Sequence, residues 1–268
     1  MNFDKVIPPG ASIGIVGGGQ LGRMLVIEAK KLGYRAGVLD PDENSPAAQV
    51  ADFAMVAGFD DAEAMRSLAG HCDVITFEFE NVAAGPLGEI AGTKPVRPAP
   101  AVLHIAQNRE REKLFLKMNG FPCAAFEIVD SPESLEAALQ KIGAPAVLKT
   151  ADFGYDGKGQ MRIDSRCNAR ALWIDFGAPR GVLEAWVPYA AELSVICARG
   201  PDGSMRAFPA AENTHRNHIL DATVVPARLP VASLLAAEHL AGEIAKALDV
   251  VGLLAVEMFL LRDGSVLV

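Results

Sequence analysis

The chain has 268 residues, of which 50% are hydrophobic and 22% are charged, and its formal net charge is -8 at pH 7. This acidic balance argues against a nucleic-acid partner, because nucleic-acid phosphates are bound by clustered Lys and Arg. Four scattered cysteines without a Cys-x-x-Cys pair argue against a structural zinc site and a disulfide framework. Because the sequence contains neither an apolar run of about 18 residues nor an apolar signal core, we expect a cytoplasmic protein without a membrane span.

The N-terminal part of the chain alternates between short apolar runs and a helical pattern. Three runs predict strands, at 12–16, 36–39 and 74–79. Residues 21–31 carry apolar residues at helical spacing, and Gly33 closes that helix. Residues 95–98 predict a short edge strand, and the domain ends near the prolines of 98–100. Strand and helix in alternation predict a parallel sheet wrapped by helices.

The remaining sequence predicts an α+β region rich in hairpins. Its predicted helices end at glycines or begin at capping residues, and they lie at 109–119, 134–141 and 234–248. Its predicted strands are short apolar runs, at 146–149, 161–163, 181–186, 193–199, 252–260 and 265–268. Ser131 is the expected N-cap of the second helix, with Pro132 at its first position. Since the last strand runs to Val268 without a finishing loop, we expect further residues after it.

A glycine pattern, Gly17-x-Gly19-x-x-Gly22, lies between the first strand and the first helix. Backbone N–H groups at a helix start attract anions, and Asp40 ends the second strand where a dinucleotide enzyme holds its ribose. By motif alone this predicts an NAD or FAD site. The alternative is a tight turn between strand and helix that binds no cofactor, and the glycines do not decide between the two.

A second motif joins Lys149, at the end of an apolar strand, to the glycine-rich loop 154–160. A lysine fixed on a strand beside a loop that can close suits nucleotide phosphates, because closure excludes water. Neither the Walker A spacing nor the glycine loop of protein kinases fits this segment. The alternative is a solvated hairpin, which the two cations, the Asp and the Tyr of this region make less attractive.

Several carboxylates and one histidine are weaker signals. Glu184 and Glu192 lie near a strand end that can offer backbone groups to an adenine edge and a carboxylate to a ribose. Glu257 interrupts an otherwise apolar strand, and a buried carboxylate is costly unless it is paired or binds a metal. Strand alternation can equally point Glu257 outward, and any of these carboxylates can be an ordinary solvated residue.

The segment 212–218 holds two histidines three positions apart, which indicate a metal only if carboxylates join them. We favour His215 as a hydrogen-bonding or phosphate-binding residue over a simple surface histidine. Glu78 and Glu80 share one face of a strand by period two. Paired like charges at a strand end are typical of a site, although a solvated face has the same pattern.

Taken together, these segments resemble the 5-(carboxyamino)imidazole ribonucleotide synthase family of ATP-grasp ligases. The matching stretches occur in the family's order, at 17–25, 76–82, 107–109 with Lys113, 147–150, 154–160, 184–188, 211–215 and 254–259. Gly-Tyr-Asp-Gly-Lys-Gly-Gln at 154–160, beside the stretch 17–25, is quite specific to this family. The resemblance implies an α/β fold, with a Rossmann-like (pre-ATP-grasp) domain at 1–105 and an α+β ATP-grasp domain at 106–268. It also implies a glycine turn that holds no dinucleotide.

The resemblance also implies roles for individual residues. Those implied to bind ATP are Arg109, Lys149, Gly154, Gly157, Gly159, Gln160, Glu184, Ala185, Trp186, Val187, Glu192 and His215. Those implied in substrate recognition and catalysis are the loop residues Tyr155, Asp156 and Lys158, with Asp156 orienting or deprotonating the amine. Those implied to lie at the imidazole ribonucleotide are Gly19, Gln20, Leu21, Glu78 and Glu80, and Glu257 is implied to ligate Mg²⁺.

The implied reaction is the ATP-dependent carboxylation of 5-aminoimidazole ribonucleotide with bicarbonate through carboxyphosphate, in a homodimer of purine biosynthesis. The family continues past a strand like 265–268 to a second magnesium ligand and a C-terminal domain, so the chain as written is expected to have an incomplete metal site and weak or no activity. Three alternatives stay open. They are another ATP-grasp ligase such as formate-dependent glycinamide ribonucleotide transformylase, a non-catalytic nucleotide-binding module, and an NAD enzyme.

Overall fold

The computed structural model describes residues 6–152, 159–165, 168–217 and 219–268. Its backbone falls into two compact units. The first contains the described residues of Met1–His104, Ala198–Met205 and Leu248–Leu253, and the second those of Ile105–Cys197, Arg206–Ala247 and Leu254–Val268. In these described stretches, no helix has both the length and the apolar character needed to cross a membrane.

The first unit is built on a four-stranded sheet, as the alternation of strands and helices predicted. Its strands are β1 (Ser12–Val16), β2 (Arg35–Asp40), β3 (Phe53–Val56) and β4 (Val74–Phe77), all parallel in the order β3-β2-β1-β4. The helices that follow in this part of the chain are α1 (Gln20–Lys31), α2 (Ala62–His71), α3 (Ala84–Ala91) and α4 (Pro100–Ala106). In register, Val16 lies opposite Leu39 on one side and Phe77 on the other, so three strands end at one edge of the sheet.

The burial of the strands in this sheet explains why their sequences are apolar. Ile15, Val16 and Leu39 are almost completely buried, as expected for apolar strands covered on both faces. The edge strand expected at 95–98 is reduced to one parallel bridge between Val96 and Ile75. Proline has no N–H to donate to a sheet, which explains why the pairing does not extend over the two flanking prolines.

The second unit begins with a helix and a small sheet. Its elements in order are α5 (Arg109–Met118), β5 (Phe126–Val129), α6 (Pro132–Ile142), β6 (Ala146–Thr150), β7 (Gln160–Ile163), α7 (Ala169–Phe176) and β8 (Gly181–Ala185). The strands form an antiparallel sheet in the order β5-β8-β6-β7. Ser131 caps α6 in a reciprocal capping box with Ser134, and Pro132 takes the first helical position, as predicted.

A second, larger sheet follows along the chain. Its elements in order are β9 (Ala191–Arg199), β10 (Met205–Ala207), β11 (Ala211–Arg216), β12 (Ile219–Val224), α8 (Val231–Ala247), β13 (Gly252–Leu260) and β14 (Val266–Leu267). The strand order is β12-β11-β9-β13-β14, with β10 paired to β9. The hairpin expected between the last two strands is present, since β13 and β14 pair antiparallel through Leu260 and Val266.

Candidate active site

A cluster of charged side chains lies between α5 and the face of the small sheet that carries Lys149. Val147 pairs directly with Glu184, and Lys149 is two residues further along β6, so Lys149 and Glu184 leave the sheet on the same side. The Lys149 Nζ lies 3.1 Å from Glu184 Oε1, and the Lys113 Nζ lies 3.2 Å from Glu184 Oε2. One carboxylate therefore bridges two ammonium groups.

The bridging carboxylate is deeply buried, with only 4% of Glu184 exposed. Burial by itself would raise the pKa of the Glu184 carboxyl, but Lys113, Lys149 and Arg109 together outweigh it, so the pKa lies below its ordinary value. Burial lowers the pKa of Lys149, and Glu184 only partly offsets this effect. Glu184 Oε1 is itself buried, so its charge is balanced by the Lys149 ammonium rather than by solvent.

Cations outnumber carboxyl groups in this cluster. Arg109 adds a third positive charge that acts on Glu184 and Lys149. The second carboxyl, that of Glu112, is partly buried, and burial raises its pKa against the opposing charges of Lys113 and Arg109. Within the described residues, the buried Nε of Arg109 has no hydrogen-bond partner. Surplus positive charge with an unsatisfied buried donor suits a polyanion such as a triphosphate.

The strand end after Glu184 carries the predicted adenine segment. Ala185 ends β8, Trp186 is 37% exposed, and the Arg162 guanidinium lies 4.0 Å from the centre of the Trp186 ring. The Val187 carbonyl accepts a hydrogen bond from the Tyr189 N–H at 3.0 Å. Because the Glu184 carboxylate is engaged by two lysines, any adenine contact from Glu184 has to come from its backbone.

Glu192 and His215, which are both predicted to bind the nucleotide, lie close together. Glu192 of β9 pairs with Asn213 of β11, and His215 lies two residues further along β11, after an irregularity in the pairing of β11 with β12. The Nδ1 of His215 lies 2.5 Å from Glu192 Oε2, and the Tyr189 hydroxyl donates to Oε1 at 2.6 Å. This hydrogen bond, with burial and the charge of Glu192, raises the pKa of Tyr189 to about 12. Each carboxylate oxygen keeps a second lone pair for a ribose hydroxyl.

Glu257 lies on β13 with its side chain exposed, while its neighbours Val256 and Met258 are buried. Strand alternation therefore points this carboxylate away from the apolar side. In the described stretches, no group of three or more His, Cys, Asp or Glu side chains is arranged to hold a metal ion. The prediction of Glu257 as a magnesium ligand stays a prediction.

The glycine-rich loop is described only at its end. Gly154, Tyr155, Asp156, Gly157 and Lys158 lie outside the described residues, so their predicted roles stay predictions. Gly159 has a positive φ of 67°, and its carbonyl accepts the Thr150 N–H at 2.8 Å. Gln160 pairs directly with Lys149 across β6 and β7 and is exposed, so it faces the same side as the predicted phosphate-binding lysine.

The glycine turn of the first unit is filled by two carboxylates. The Gly18 N–H donates to Asp40 Oδ2 at 2.7 Å, and the Gly19 N–H donates to Glu78 Oε2 at 2.6 Å. A Cβ built on Gly19 would lie 2.4 Å from Glu78 Oε1, so this glycine makes room for the protein's own carboxylate. A dinucleotide pyrophosphate would need these N–H groups and would be repelled by both charges. The geometry therefore favours a turn that binds no dinucleotide.

The other residues predicted at the imidazole ribonucleotide differ in exposure. Gln20 and Leu21, at the start of α1, are exposed, Leu21 by 56%. The prediction that Glu78 and Glu80 share one face of a strand is wrong, because β4 ends at Phe77 and both glutamates follow it. Glu80 is exposed, whereas the Glu78 carboxylate is partly buried against the turn. Sequence reasoning left open which of these two glutamates contacts substrate, and the structure gives Glu78 a role in holding the turn.

Sequence reasoning did not identify three residues of these clusters: Lys113 and Glu112 of α5, and Tyr189 beside Glu192. Lys113 was quoted only as part of a matching stretch. A possible signal was its spacing, because Lys113 follows Arg109 by one helical turn and so shares its face of α5.

Known protein families match nearly the whole chain. The family model of the ribonucleotide synthetase preATP-grasp domain matches residues 11–107, and that of the ATP-grasp domain matches residues 114–268. The N5-carboxyaminoimidazole ribonucleotide synthase of Brucella melitensis is 44% identical over 271 aligned residues, covering 99% of this chain and 74% of the relative.

Two solved structures are similar in fold over nearly the whole chain. A crystal structure of the ADP complex of N5-carboxyaminoimidazole ribonucleotide synthetase has a TM-score of 0.93 and 42% identity, covering 98% of this chain and 70% of that one. The Aspergillus clavatus N5-carboxyaminoimidazole synthase, in complex with ADP and 5-aminoimidazole ribonucleotide, has a TM-score of 0.88 and 32% identity, covering 96% and 68%. The chain therefore belongs to the N5-carboxyaminoimidazole ribonucleotide synthase family of ATP-grasp proteins.

Proposed function

We propose that this chain is an ATP-dependent ligase that carboxylates 5-aminoimidazole ribonucleotide with bicarbonate, giving N5-carboxyaminoimidazole ribonucleotide, ADP and phosphate in purine biosynthesis. The observation that carries the proposal is the cationic cluster of Arg109, Lys113 and Lys149 around one buried carboxylate. Family membership supports the reaction, and the surplus positive charge of the cluster supports the binding of nucleotide phosphates there.

Arg109 and Lys149 bind the phosphates in this proposal. Lys149 stands on a strand rather than a loop, so its position is fixed before ATP arrives, and its side chain remains 21% exposed. Charge-assisted contacts to phosphate are stronger than neutral hydrogen bonds, and their strength increases where water is excluded. Gly154, Gly157, Gly159 and Gln160 belong to the loop that closes over the phosphates.

The adenine and ribose lie along the strand end in this proposal. Backbone groups of Glu184, Ala185 and Val187 face the adenine edge, and Trp186 covers it. Glu192 accepts the ribose hydroxyls, with His215 and Tyr189 holding its carboxylate in place. An anchored carboxylate loses little freedom on binding, which favours affinity.

Magnesium is the proposed metal, with Glu257 as one ligand. Mg²⁺ is usually held by one or two carboxylates together with substrate phosphates, and a single exposed carboxylate fits such a site. When bound, the ion neutralises charge on the phosphates during transfer.

The chemistry requires activation of bicarbonate. A bicarbonate oxygen attacks the γ-phosphorus, the bond to the ADP oxygen breaks, and carboxyphosphate forms. The exocyclic amine then attacks the carboxyl carbon, phosphate leaves, and the amine loses a proton, for which Asp156 is the proposed acceptor or orienting group. Tyr155 and Lys158 complete the loop's contacts. The protein's contribution is positioning, charge neutralisation and exclusion of water.

The imidazole ribonucleotide is proposed to lie at the glycine turn of domain 1–105, near Gly19, Gln20, Leu21 and Glu80. Glu78 orients the turn by accepting the Gly19 N–H. The ATP-grasp domain is proposed to comprise 106–268, and the enzyme to act as a homodimer in the cytoplasm. Sedimentation of the purified chain at several concentrations tests the dimer.

A turnover assay tests the reaction. Because the chain spans 74% of the Brucella relative's length, the assay uses the chain as given and a chain extended by the relative's remaining segment. We expect ADP release that depends on both 5-aminoimidazole ribonucleotide and bicarbonate, with carbon-13 from bicarbonate in the product. ADP release by the extended chain that is indifferent to the ribonucleotide would overturn the proposal, as would turnover with glycinamide ribonucleotide and formate.

A further inference from the structure

Lys113 belongs to the cationic cluster but is given no individual role in the reaction proposed above, and it is one of the most buried cations of the described structure. It lies on α5 with 7% of its surface exposed, and its ammonium lies 3.2 Å from Glu184 Oε2. Lysine is seldom this buried unless it is paired. An apolar residue would satisfy a purely structural need at lower desolvation cost, so the charge itself requires an explanation.

The two lysines contact different oxygens of the Glu184 carboxylate. Lys113 takes Oε2, and Lys149 takes Oε1 at 3.1 Å. A carboxylate with only Lys149 beside it could turn both oxygens toward that ammonium and neutralise it. With Lys113 in place, Glu184 cannot do so, and the three groups together keep a net positive charge.

The surplus charge lies on the side where a ligand can reach it. The Lys149 side chain is 21% exposed, whereas that of Lys113 is 9% exposed. Lys149 is therefore the more accessible of the two lysines that contact the Glu184 carboxylate, and Lys113 is the more buried one. Arg109, one turn before Lys113 on the same helix face, adds to the positive potential felt by Glu184.

We propose that Lys113 is a positioning residue for nucleotide binding. By holding Oε2 of Glu184, it sets the position of Lys149 and prevents the carboxylate from fully neutralising the Lys149 ammonium, whose positive charge then remains available to the phosphates. The inference rests on the proposed ATP site at Lys149. It assigns Lys113 an indirect role, with no contact to the nucleotide.

Calorimetric titration with ADP in the presence of Mg²⁺ tests the inference on the full chain. We expect Lys113→Met to weaken ADP binding at least about tenfold, because the bridging carboxylate then turns to Lys149. Lys113→Arg, which keeps a charge at the same place, should recover part of the affinity. The matched control is Lys117→Met, since Lys117 lies on the same helix but is exposed. Its ADP affinity should equal that of the unmodified chain.

A double-mutant cycle separates an indirect role from a structural one. If Lys113 acts through Glu184, Lys113→Met should cost almost no further ADP affinity in a Glu184→Gln background. Because Glu184→Gln is itself expected to destabilise the fold, circular dichroism first establishes that each variant is folded. If Lys113→Met alone does not fold, a further loss of about tenfold on adding it to Glu184→Gln would still overturn the inference. Equal additional losses in both backgrounds would overturn the inference.

A further variant distinguishes this inference from the function on which it rests. If Lys149→Met weakens ADP binding but a folded Lys113→Met does not, the positioning role is wrong and the ATP site stands. If neither Lys149→Met nor Lys113→Met changes ADP affinity, the site itself is misplaced.

Discussion

The Lys149 ammonium and the Glu184 carboxylate are 3.1 Å apart on neighbouring strands of one antiparallel sheet. The register of β6 and β8 sets this contact, because Lys149 lies two residues beyond Val147, the direct partner of Glu184. The pair is therefore part of the sheet's architecture before any ligand binds, and its disruption should be measurable in the stability of the protein.

Glu184→Gln should strongly destabilise the fold. It leaves Lys113 and Lys149 without their shared counter-charge, and breaking a buried ion pair typically costs about 3–5 kcal/mol. Urea unfolding followed by circular dichroism measures the loss. The matched control is Glu136→Gln, because Glu136 is an exposed residue of α6, and it should change the free energy of unfolding by less than about 0.5 kcal/mol. Equal stabilities of the two variants would show that the buried ion pairs of Glu184 do not stabilise the fold.

At neutral pH, Glu112→Gln should change the free energy of unfolding in the opposite direction from Glu184→Gln. Burial raises the pKa of Glu112 above its ordinary value of 4.5, so the folded state holds this proton more tightly than the unfolded state. Its contribution is favourable below the unfolded pKa and is lost as pH rises through the folded pKa. The variant should therefore be at least as stable as the unmodified chain at pH 7, and this gain should vanish at pH 4. A loss of stability at pH 7 would show that the ionised carboxylate is needed.

The contribution of Glu184 to stability should depend on pH in the opposite way from that of Glu112. The pKa of Glu184 is depressed in the fold, since the cations outweigh burial, so its stabilisation is present above the unfolded pKa and lost as pH falls through the folded pKa. The difference in unfolding free energy between the unmodified chain and Glu184→Gln should shrink below pH 4.5, the ordinary value for this group. A difference that stays constant from pH 7 to acid would contradict a paired carboxylate.

Gly19→Ala should destabilise the first unit, because the new Cβ would lie 2.4 Å from Glu78 Oε1. We expect a loss of about 1–3 kcal/mol, within the usual range for overpacking. Adding Glu78→Ala should relieve the clash and recover part of the loss. Gly88→Ala is the control, since nothing lies within 4 Å of its Cβ in α3, and it should be neutral or stabilising. An equal loss in the presence and absence of Glu78 would show that the carboxylate does not fill the turn.

Tyr189→Phe should weaken ADP binding by about threefold to tenfold, because Glu192 loses a hydrogen bond from a neutral donor. Calorimetry with ADP measures the change. Tyr34→Phe is the matched control: its hydroxyl donates to the Ile7 carbonyl in the first unit and should not affect ADP affinity. An unchanged affinity in Tyr189→Phe would place the ribose away from Glu192.

The first sheet was predictable where the sequence is regular. An apolar strand, a glycine turn and an amphipathic helix follow one another without interruption, and the structure has β1 at Ser12–Val16 and α1 at Gln20–Lys31. The prediction missed β3 and α3, which are short, and also α2, although its buried residues Met65, Leu68 and Ala69 follow helical spacing. It also missed the hairpin of β11 and β12, which is largely exposed and lacks a buried apolar face.

The site was predictable to the extent that its residues stand at strand ends. Lys149 and Glu184 each interrupt or end an apolar strand, and the structure brings them together. Lys113 follows Arg109 by one helical turn, but this spacing does not predict its burial, because a lysine in an amphipathic pattern usually indicates the solvated face. Its burial depends on a carboxylate from a distant strand, and that contact is a property of the fold.

The most direct test of the central claim is the affinity of ADP and of AMP for the unmodified chain and for Lys149→Met, with the exposed Lys141→Met as control. The account predicts that Lys149→Met weakens ADP binding by about a hundredfold, as expected for loss of a partly buried charge contact, while AMP binding changes little. Lys141→Met should bind both nucleotides as the unmodified chain does. Unchanged ADP affinity in a folded Lys149→Met variant would contradict the claim that the cluster around Glu184 binds nucleotide phosphates.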